Sequence, residues 1–487
     1  MGLNDNRTSV QPNHGVDLCY VISHGFAARM ILQTGLVERL TQTGKSVAII
    51  SPDADDENFR EFDDNPLVQV HSANINLSIW DDDYGVKRRY YLEDIRSNPV
   101  FWEKHIYSIL YTKSKHPWKR IRPFIYYPIY RLIPYFPSIR ARFKRTESKY
   151  LKDAKATALL KQLNPRLVIS TYPINYLESK FLFAAQQAGI RTLIHLLSWD
   201  NITSKGIFPV IPDSFIAWGE VMRQELEEYY GVGEEEVHVC GVPHFDQHVE
   251  VKGSKGYEAV LVDLKIDPSK PYLFIAMSAP RFAPHEIDIV EWLAAAIALN
   301  EFGSEMQLVI RPHPQNVQGA LGDKRWLKRL DKLSSQRIAI DYPKLVKSKV
   351  RWSMRKSDML RLSNLLAGCS VCLNSGSTVS IDALMMDKPV VLTSFDGNKK
   401  LYYWKSARRL VDYLHLKKFV GLGGANVVHN YDELKREILK YLSDPNHDLD
   451  KRRHALTMEC YKNDGEATSR VVDALGEILE KTKLIHV

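Results

Sequence analysis

Cysteine is scarce in this chain, five in 487 residues, and the five follow no framework spacing. A disulfide scaffold is excluded, and a reducing compartment, the cytoplasm, fits. Cys369 and Cys372 form a C-x-x-C, but Cys372 falls inside an apolar strand and no second ligand pair exists, so a core role is expected rather than metal or redox chemistry. No run of about 18 apolar residues occurs, which leaves no candidate transmembrane helix. The opening MGLNDNRTSVQPNHG lacks an apolar segment and reads as a disordered polar tail over residues 1–15, not as a secretory signal. No extended glycine-rich phosphate loop follows the first strand. No D-x-D triplet stands after a strand either; Asp81-Asp82-Asp83 reads as a solvated turn. No resident metal or cofactor is therefore expected.

What the chain has is alternation. The length allows about two to four domains with full cores. Strands are expected at Leu18–Ile22, Val47–Ile50, Val68–Val70, Leu167–Ser170, Thr192–Leu196, Phe215–Ala217 and Val237–Cys240, with helices between several of them. Lys252-Gly253-Ser254-Lys255-Gly256 reads as a linker. A second alternation follows, with strands at Tyr272–Met277, Leu308–Arg311, Ile338–Ile340, Val371–Leu373 and Val390–Leu392. Helices are expected near 286–301, 322–334, 358–367 and 378–386. Strands alternating with helices predict parallel sheets covered on both faces. The expected fold is α/β: two Rossmann-like domains, 16–250 and 257–464, facing across a cleft. An amphipathic helix at about 465–483 is expected to pack back on the first domain.

Residues 80–150 break the alternation as a basic, aromatic insertion. Residues 101–150 hold 12 Lys/Arg and 2 Asp/Glu, so the net charge of +8 is local to this segment and the remainder is −2. Prolines 117, 123, 128, 134 and 137 argue against one long helix. Trp118, Lys119, Arg120, Arg122, Arg142, Lys144 and Arg145 mix rings with cations. That mixture suits an anionic membrane surface or a lipid-linked substrate. Nucleic acid is a less favoured partner with the same chemistry, and a flap packed on its own domain is the plainest alternative.

The most informative stretch is 369–392, CSVCLNSGSTVSIDALMMDKPVVL. A buried strand meets Ser375-Gly376-Ser377-Thr378, a helix begins, and a second strand follows Lys388-Pro389. Backbone N–H groups at such a turn make an anion site, and Asp382 lies one helical turn inward, within reach of sugar hydroxyls. The alternative is that Ser377 or Thr378 only caps the helix. Three further loops follow strands: Ser278 and Arg281, then Arg311 and His313, then Asp396. Ligands of open parallel sheets bind at the carboxyl ends of strands, so the four loops should converge. Together they suit a diphosphate, a sugar and a ribose. Two bases are candidates. His24 titrates near neutrality, and Asp200 follows the fifth strand; a turn histidine and a helix cap are the respective alternatives. His244, in GVPHFD, is taken as architectural.

The strand–SGST–helix–KPVV pattern with the upstream RPHP resembles the C-terminal domain of GT-B nucleotide-sugar glycosyltransferases. The bacterial surface-polysaccharide group is the nearest in flavour, with its CDP-glycerol glycerophosphotransferases and non-hydrolysing UDP-N-acetylglucosamine 2-epimerases. The resemblance implies that Ser375 to Thr378 bind donor phosphates, that Asp382 holds ribose and that His313 contacts phosphate or assists the leaving group. It further implies that His24 is the base of an inverting transfer. The implied activity is transfer of a sugar from a nucleotide-sugar donor to a cell-surface or lipid-linked glycan acceptor, without metal, on the inner face of the membrane. A glycerophosphotransferase, a 2-epimerase and a non-catalytic glycan-binding protein remain the rivals.

Overall fold

A computed structural model describes residues 15–75, 77, 85, 88, 91–92, 98–111, 117–317, 323–345 and 354–483. The tail 1–14 and the triplet Asp81-Asp82-Asp83 lie outside the described residues.

Two parallel sheets organise the chain. The first contains β1 (Leu18–Val21), β2 (Val47–Ser51), β3 (Val68–Ser72), β4 (Leu167–Ser170), β5 (Arg191–His195), β6 (Ser214–Ala217) and β7 (Val237–Val239), in the order β3-β2-β1-β4-β5-β6-β7. The second contains β8 (Tyr272–Ala276), β9 (Gln307–Arg311), β10 (Ile338–Ile340), β11 (Val371–Asn374), β12 (Val390–Thr393) and β13 (Asn426–Val428), in the order β10-β9-β8-β11-β12-β13. Strands such as Val47–Ser51 and Leu167–Ser170 are rich in Val and Ile and are buried throughout. That follows from helices covering both faces of a parallel sheet. Each sheet reverses its winding once. Val21 pairs with Ser170 across β1 and β4, and Leu373 with Ile275 across β11 and β8. Crevices open at such reversals, at the carboxyl ends of the strands. β13 escaped the sequence reading because it is three residues long and follows Gly423-Gly424.

The insertion is helical where described: Pro99–Tyr111, Pro117–Leu132 and Pro137–Leu151, with a 3₁₀ turn at Ile133–Tyr135. The prolines act less severely than their number suggests. Pro117 and Pro137 open helices, where a missing N–H costs nothing. Pro123 and Pro128 lie inside one helix. They leave the carbonyls of Lys119 and Phe124 unpaired within the helix, and both of those residues are exposed. Arg88 pairs with Glu147 and donates to the carbonyls of Ile207 and Phe208. Asn98 and Lys104 donate to the carbonyls of Thr203 and Ser204. These contacts fix one side of the insertion to the first domain. Its other side stays exposed, with Trp118, Ile121, Phe124, Ile125, Leu132, Tyr135 and Phe136 among the exposed side chains. Among the described residues, no helix is long and apolar enough to cross a membrane.

Three joints hold the two sheets together. The helix Ala467–Lys483 packs on the helix Leu36–Gln42. Its carbonyls at Leu479 and Ile478 accept from Arg166 and Arg191, which sets two cations near the negative end of the helix. Glu103 of the insertion pairs with Arg281 at 3.5 Å and Arg409 at 3.8 Å, both on the second domain. The third joint packs the helix Glu220–Tyr230 on the helix Leu449–Cys460. Here Glu225 and Glu459 are buried beside the half-buried Lys418, whose Nζ lies 3.0 Å from Glu225. Burial pushes the Glu225 carboxyl up to about 7 despite Lys418. Burial and the neighbouring Glu225 push Glu459 up to about 8.

Both glutamates therefore bind a proton more tightly folded than unfolded. The stability they contribute is complete below the ordinary carboxylate range and is lost as pH rises through the folded values. Thermal melts should show stability falling from about pH 5 to about pH 8, and Glu459→Gln should flatten that fall. An unchanged pH profile in the variant would refute the role given to this pair.

Candidate active site

The carboxyl ends of both sheets open on one cavity of about 480 Å³, a size typical of small-molecule sites. The first domain supplies His24 after β1, Thr171 and Tyr172 after β4, Leu197 and Ser198 after β5, and Trp218 after β6. The second supplies Met277 after β8, Pro312 and His313 after β9, and Ser377 and Thr378 after β11.

A buried carboxylate shapes the first wall. Glu178 is fully buried and accepts from the backbone N–H groups of Ser23, Thr171 and Tyr172 and from the hydroxyls of Ser23 and Ser170. It ties the loop after β1 to the loop after β4 and so places His24 beside Tyr172, with ring centroids 5.6 Å apart. His24 caps the helix Gly25–Leu32, its Nδ1 accepting from the Phe26 N–H at 3.1 Å. A nitrogen that accepts carries no proton, so the neutral ring holds its proton on Nε2. As placed, His24 is a hydrogen-bond donor rather than the base expected from its titration range. Asp200 is not a base either. It accepts from the Ser198 and Ser204 hydroxyls and pairs with Lys205 at 2.7 Å. Burial alone would raise its pKa, but Lys205, His415 and the Ser198 hydroxyl outweigh burial and hold it well below the carboxylate range. Lys205, unremarked in the sequence, lines the cavity in its place.

On the second wall the expected phosphate turn is only partly open. The Oδ1 of Asn374 accepts from the N–H groups of Gly376 and Ser377 at 2.8 and 2.9 Å, so those two donors are already used. The helix Val379–Met385 is short, and Thr378 makes no side-chain cap. The hydroxyls of Ser377 and Thr378 are what the turn offers. Gly376 has φ +107, and a Cβ there would meet Leu416 at 2.8 Å, so the turn requires glycine. Ser375 faces away from the cavity, bonded to Glu286 and Thr393. Glu286 also accepts from the Ser278 N–H at 2.6 Å, and burial pushes its carboxyl up to about 7. Ser278 is thus part of the frame. Arg281 sits over the Tyr107 ring at 4.2 Å and serves the Glu103 joint, away from the cavity. Asp396 accepts from the Ser406 hydroxyl and the Ala407 N–H and is likewise structural.

Besides Ser377 and Thr378, three further residues expected at the donor site reach the cavity, with altered prospects. Arg311 lines it, but Asp341 and Asp358 both pair with its guanidinium. Two carboxylates leave it little positive charge to offer a ligand. His313 accepts from the Gln315 N–H at 3.1 Å through Nδ1, so it too presents Nε2–H. Burial pushes its pKa down to about 4, which keeps the ring neutral at physiological pH. Asp382 lines the cavity, but one oxygen takes the His248 Nε2 at 2.7 Å, a bond between the two domains. His244, taken as architectural, lines the cavity; burial, with Arg29 and His248 nearby, holds its pKa well below the ordinary value. Asn374, Glu178 and Glu286 escaped the sequence reading because their partners are distant in the chain or lie in backbone. Glu178 could have been flagged only as an acid inside an apolar helix, YLESKFLFAA.

If Asp200 holds Lys205 in place, Asp200→Asn should destabilise the fold by about 1–3 kcal/mol, the cost of leaving the partners of a half-buried carboxylate unsatisfied. The wild-type contribution is present above the ordinary carboxylate value and is lost as pH falls through the depressed one. Denaturant melts check this. A variant with wild-type stability and no turnover would restore Asp200 as a catalytic group.

The geometry can be set beside known proteins. The model of the family described as CDP-glycerol:poly(glycerophosphate) glycerophosphotransferase matches residues 211–477. The match covers the end of the first sheet, the whole second sheet and most of the last helix, and leaves out His24 and the insertion. No curated protein matches the sequence. Among solved structures, the UDP-GlcNAc 2-epimerase from Neisseria meningitidis bound to UDP-GlcNAc superposes with TM-score 0.53 at 12% identity, covering 95% of this chain and 100% of that one. The UDP-GlcNAc 2-epimerase from Methanocaldococcus jannaschii gives 0.52 at 12%, covering 95% and 99%. A candidate enzyme of that kind from Listeria monocytogenes gives 0.54 at 13%, covering 96% and 97%. At these identities the structures establish the two-domain GT-B fold. The family match takes in more than half of the residues, and on that ground the chain belongs to the CDP-glycerol:poly(glycerophosphate) glycerophosphotransferase family.

Proposed function

We propose that this protein transfers glycerol phosphate, or a closely related polyol phosphate, from a nucleotide-diphosphate donor to a hydroxyl of a lipid-linked or cell-surface polymer. One observation carries the reading. Within a chain of this family, His24 and His313, each with Nδ1 turned to a backbone N–H, line a cavity that also holds the Ser377 and Thr378 hydroxyls. Neutral donors aimed at a phosphoryl group suit phosphoryl transfer, where catalysis is mostly positioning and charge stabilisation and little proton abstraction is needed. In this reading the acceptor hydroxyl attacks the phosphorus that carries glycerol. The P–O–P bridge breaks, CMP departs with the bridging oxygen, and the proton of the acceptor hydroxyl passes to the departing phosphate. Ser377, Thr378 and His313 hold the departing phosphate, and His24 donates to the phosphoryl group in transit. Charge neutralisation is assigned to side chains, so turnover should survive EDTA.

Glycosyl transfer, the alternative read from the sequence, would break a C–O bond and release a nucleoside diphosphate. The nucleotide product therefore decides the reaction. With CDP-, UDP-, GDP- and CMP-linked donors and a polyol-phosphate acceptor, CMP from CDP-glycerol is expected. Release of a nucleoside diphosphate would replace this reading with glycosyl transfer, epimerised UDP-sugar would indicate a 2-epimerase, and no turnover at all would leave a binding protein. His24→Asn separates chemistry from folding, since asparagine is itself a good helix cap. It should keep wild-type stability and lose about 100-fold or more in turnover. Normal turnover in that variant would remove His24 from the mechanism.

The exposed face of the insertion is assigned to an anionic bilayer. Its rings favour the headgroup layer, and Lys119, Arg120, Arg142, Lys144 and Arg145 are exposed beside them. Vesicle co-sedimentation should show binding to anionic lipid that weakens with salt, as screening shortens to about 3 Å at 1 M. Neutralising those five cations together with Arg122 should abolish the preference for anionic lipid. Equal, negligible binding to anionic and neutral vesicles would leave a flap. Binding of a short single-stranded RNA instead would indicate nucleic acid.

A further inference from the structure

The cation in the cavity with the least compensation was not read from the sequence. Arg29, on the helix Gly25–Leu32, lines the cavity from the first domain. Its Nη1 rests 3.2 Å from the Met359 sulfur, its guanidinium lies 4.9 Å from the Phe26 ring centre, and its Nε is buried without a hydrogen-bond partner. Among the described residues no carboxylate lies within ion-pair distance of it. The other cations lining the cavity are already paired: Lys205 with Asp200, and Arg311 with Asp341 and Asp358. Burial pushes Arg29 down to about 10, against the attraction of Asp382 and Asp358. A desolvated guanidinium held by a thioether and a ring face is costly. An anionic ligand between the two domains would supply what it lacks.

We propose that Arg29 binds a phosphate group of the reactants, gripping it from the first domain while the Ser377–Thr378 turn holds it from the second. The proposal rests on the phosphoryl-transfer reading for the identity of that group, which is either the donor's diphosphate or the phosphate of the acceptor. A planar fork matches phosphate oxygens in pairs, and Met359 and Phe26 offer the guanidinium no competing charge. Arg29 is thus a residue held unsatisfied until substrate arrives.

The test measures binding, so it is independent of the reaction catalysed. The full-length wild type, Arg29→Gln and Arg29→Met are titrated calorimetrically with inorganic pyrophosphate, CDP and glycerol 3-phosphate, and each is melted. Both variants should lose about 10-fold or more in affinity for pyrophosphate. Arg29→Met should melt above the wild type, because an uncompensated charge has been replaced by an apolar side chain. A loss for CDP with glycerol 3-phosphate unaffected assigns the donor's diphosphate, the converse assigns the acceptor's phosphate, and a loss for both is a shared site. Unchanged affinities in both variants, or a wild type that binds none of the three, would overturn the proposal. So would weaker binding accompanied by lower melting temperatures in both variants, since Arg29 would then be holding the fold. Intact pyrophosphate binding through Arg29 with no CMP release would sink the reaction and leave the site.

Discussion

Two buried glutamates hold the cleft in shape, and the geometry of the site follows from them. Each sheet reverses its winding between two central strands, and the loops leaving those strands must stay together for a crevice to exist. In the first domain Glu178 binds the loops after β1 and β4; in the second Glu286 binds the loops after β8 and β11. The spacing is the same, eight positions from Ser170 to Glu178 and from Ser278 to Glu286. The owner differs: Glu178 follows the second strand of its pair and Glu286 the first. Each carboxylate lies in the first turn of a helix, where the dipole favours negative charge. They differ in how well they are served. Glu178 meets donors from both loops on both oxygens, whereas Glu286 has one hydroxyl and one N–H, and burial carries it toward neutrality.

Much of the frame was legible in the chain. All seven strands of the first sheet and five of six in the second were marked by short Val- and Ile-rich runs, because a strand buried on both faces has no polar alternation to blur it. The turn after β11 and the RPHP after β9 were legible as places. Their chemistry was not. Sequence shows which residue follows a strand but not what else reaches it from elsewhere in the fold. Arg311 reads as a phosphate ligand until Asp341 and Asp358 arrive from 30 and 47 positions away. Asp200 reads as a base until Lys205 closes on it. Gly376 and Ser377 read as open donors until the strand's own last residue, Asn374, turns back on them. In each case a polar group that would be expensive to bury alone found a partner that periodicity cannot announce.

Two of the cavity histidines, His24 and His313, show how a local rule sets the orientation of a ring. His24 and His313 each precede a helix and spend one ring nitrogen on a backbone N–H two residues ahead. That contact sets ring orientation and tautomer together. The Nε2 edge is then oriented by the helix start, without needing a carboxylate behind the ring. Burial keeps His313 uncharged, so its contribution is a directed dipole rather than a charge.

Glu103 gives the insertion a mechanical meaning. It is 2% exposed, and its carboxylate meets Arg281 and Arg409 across the domain boundary. The helix Pro99–Tyr111 is therefore bolted to both halves of the molecule at once. Together with the two helix–helix joints and the His248–Asp382 bond, this contact restrains the two domains against hinging. Widening the cleft requires drawing Glu103 off its arginines, at about 3–5 kcal/mol for a buried pair broken open, or carrying the whole insertion along. Any force on the exposed aromatic face of the insertion is transmitted through that contact to the joint between the domains. The exposed face of the insertion and the joint between the domains are thus two ends of one lever.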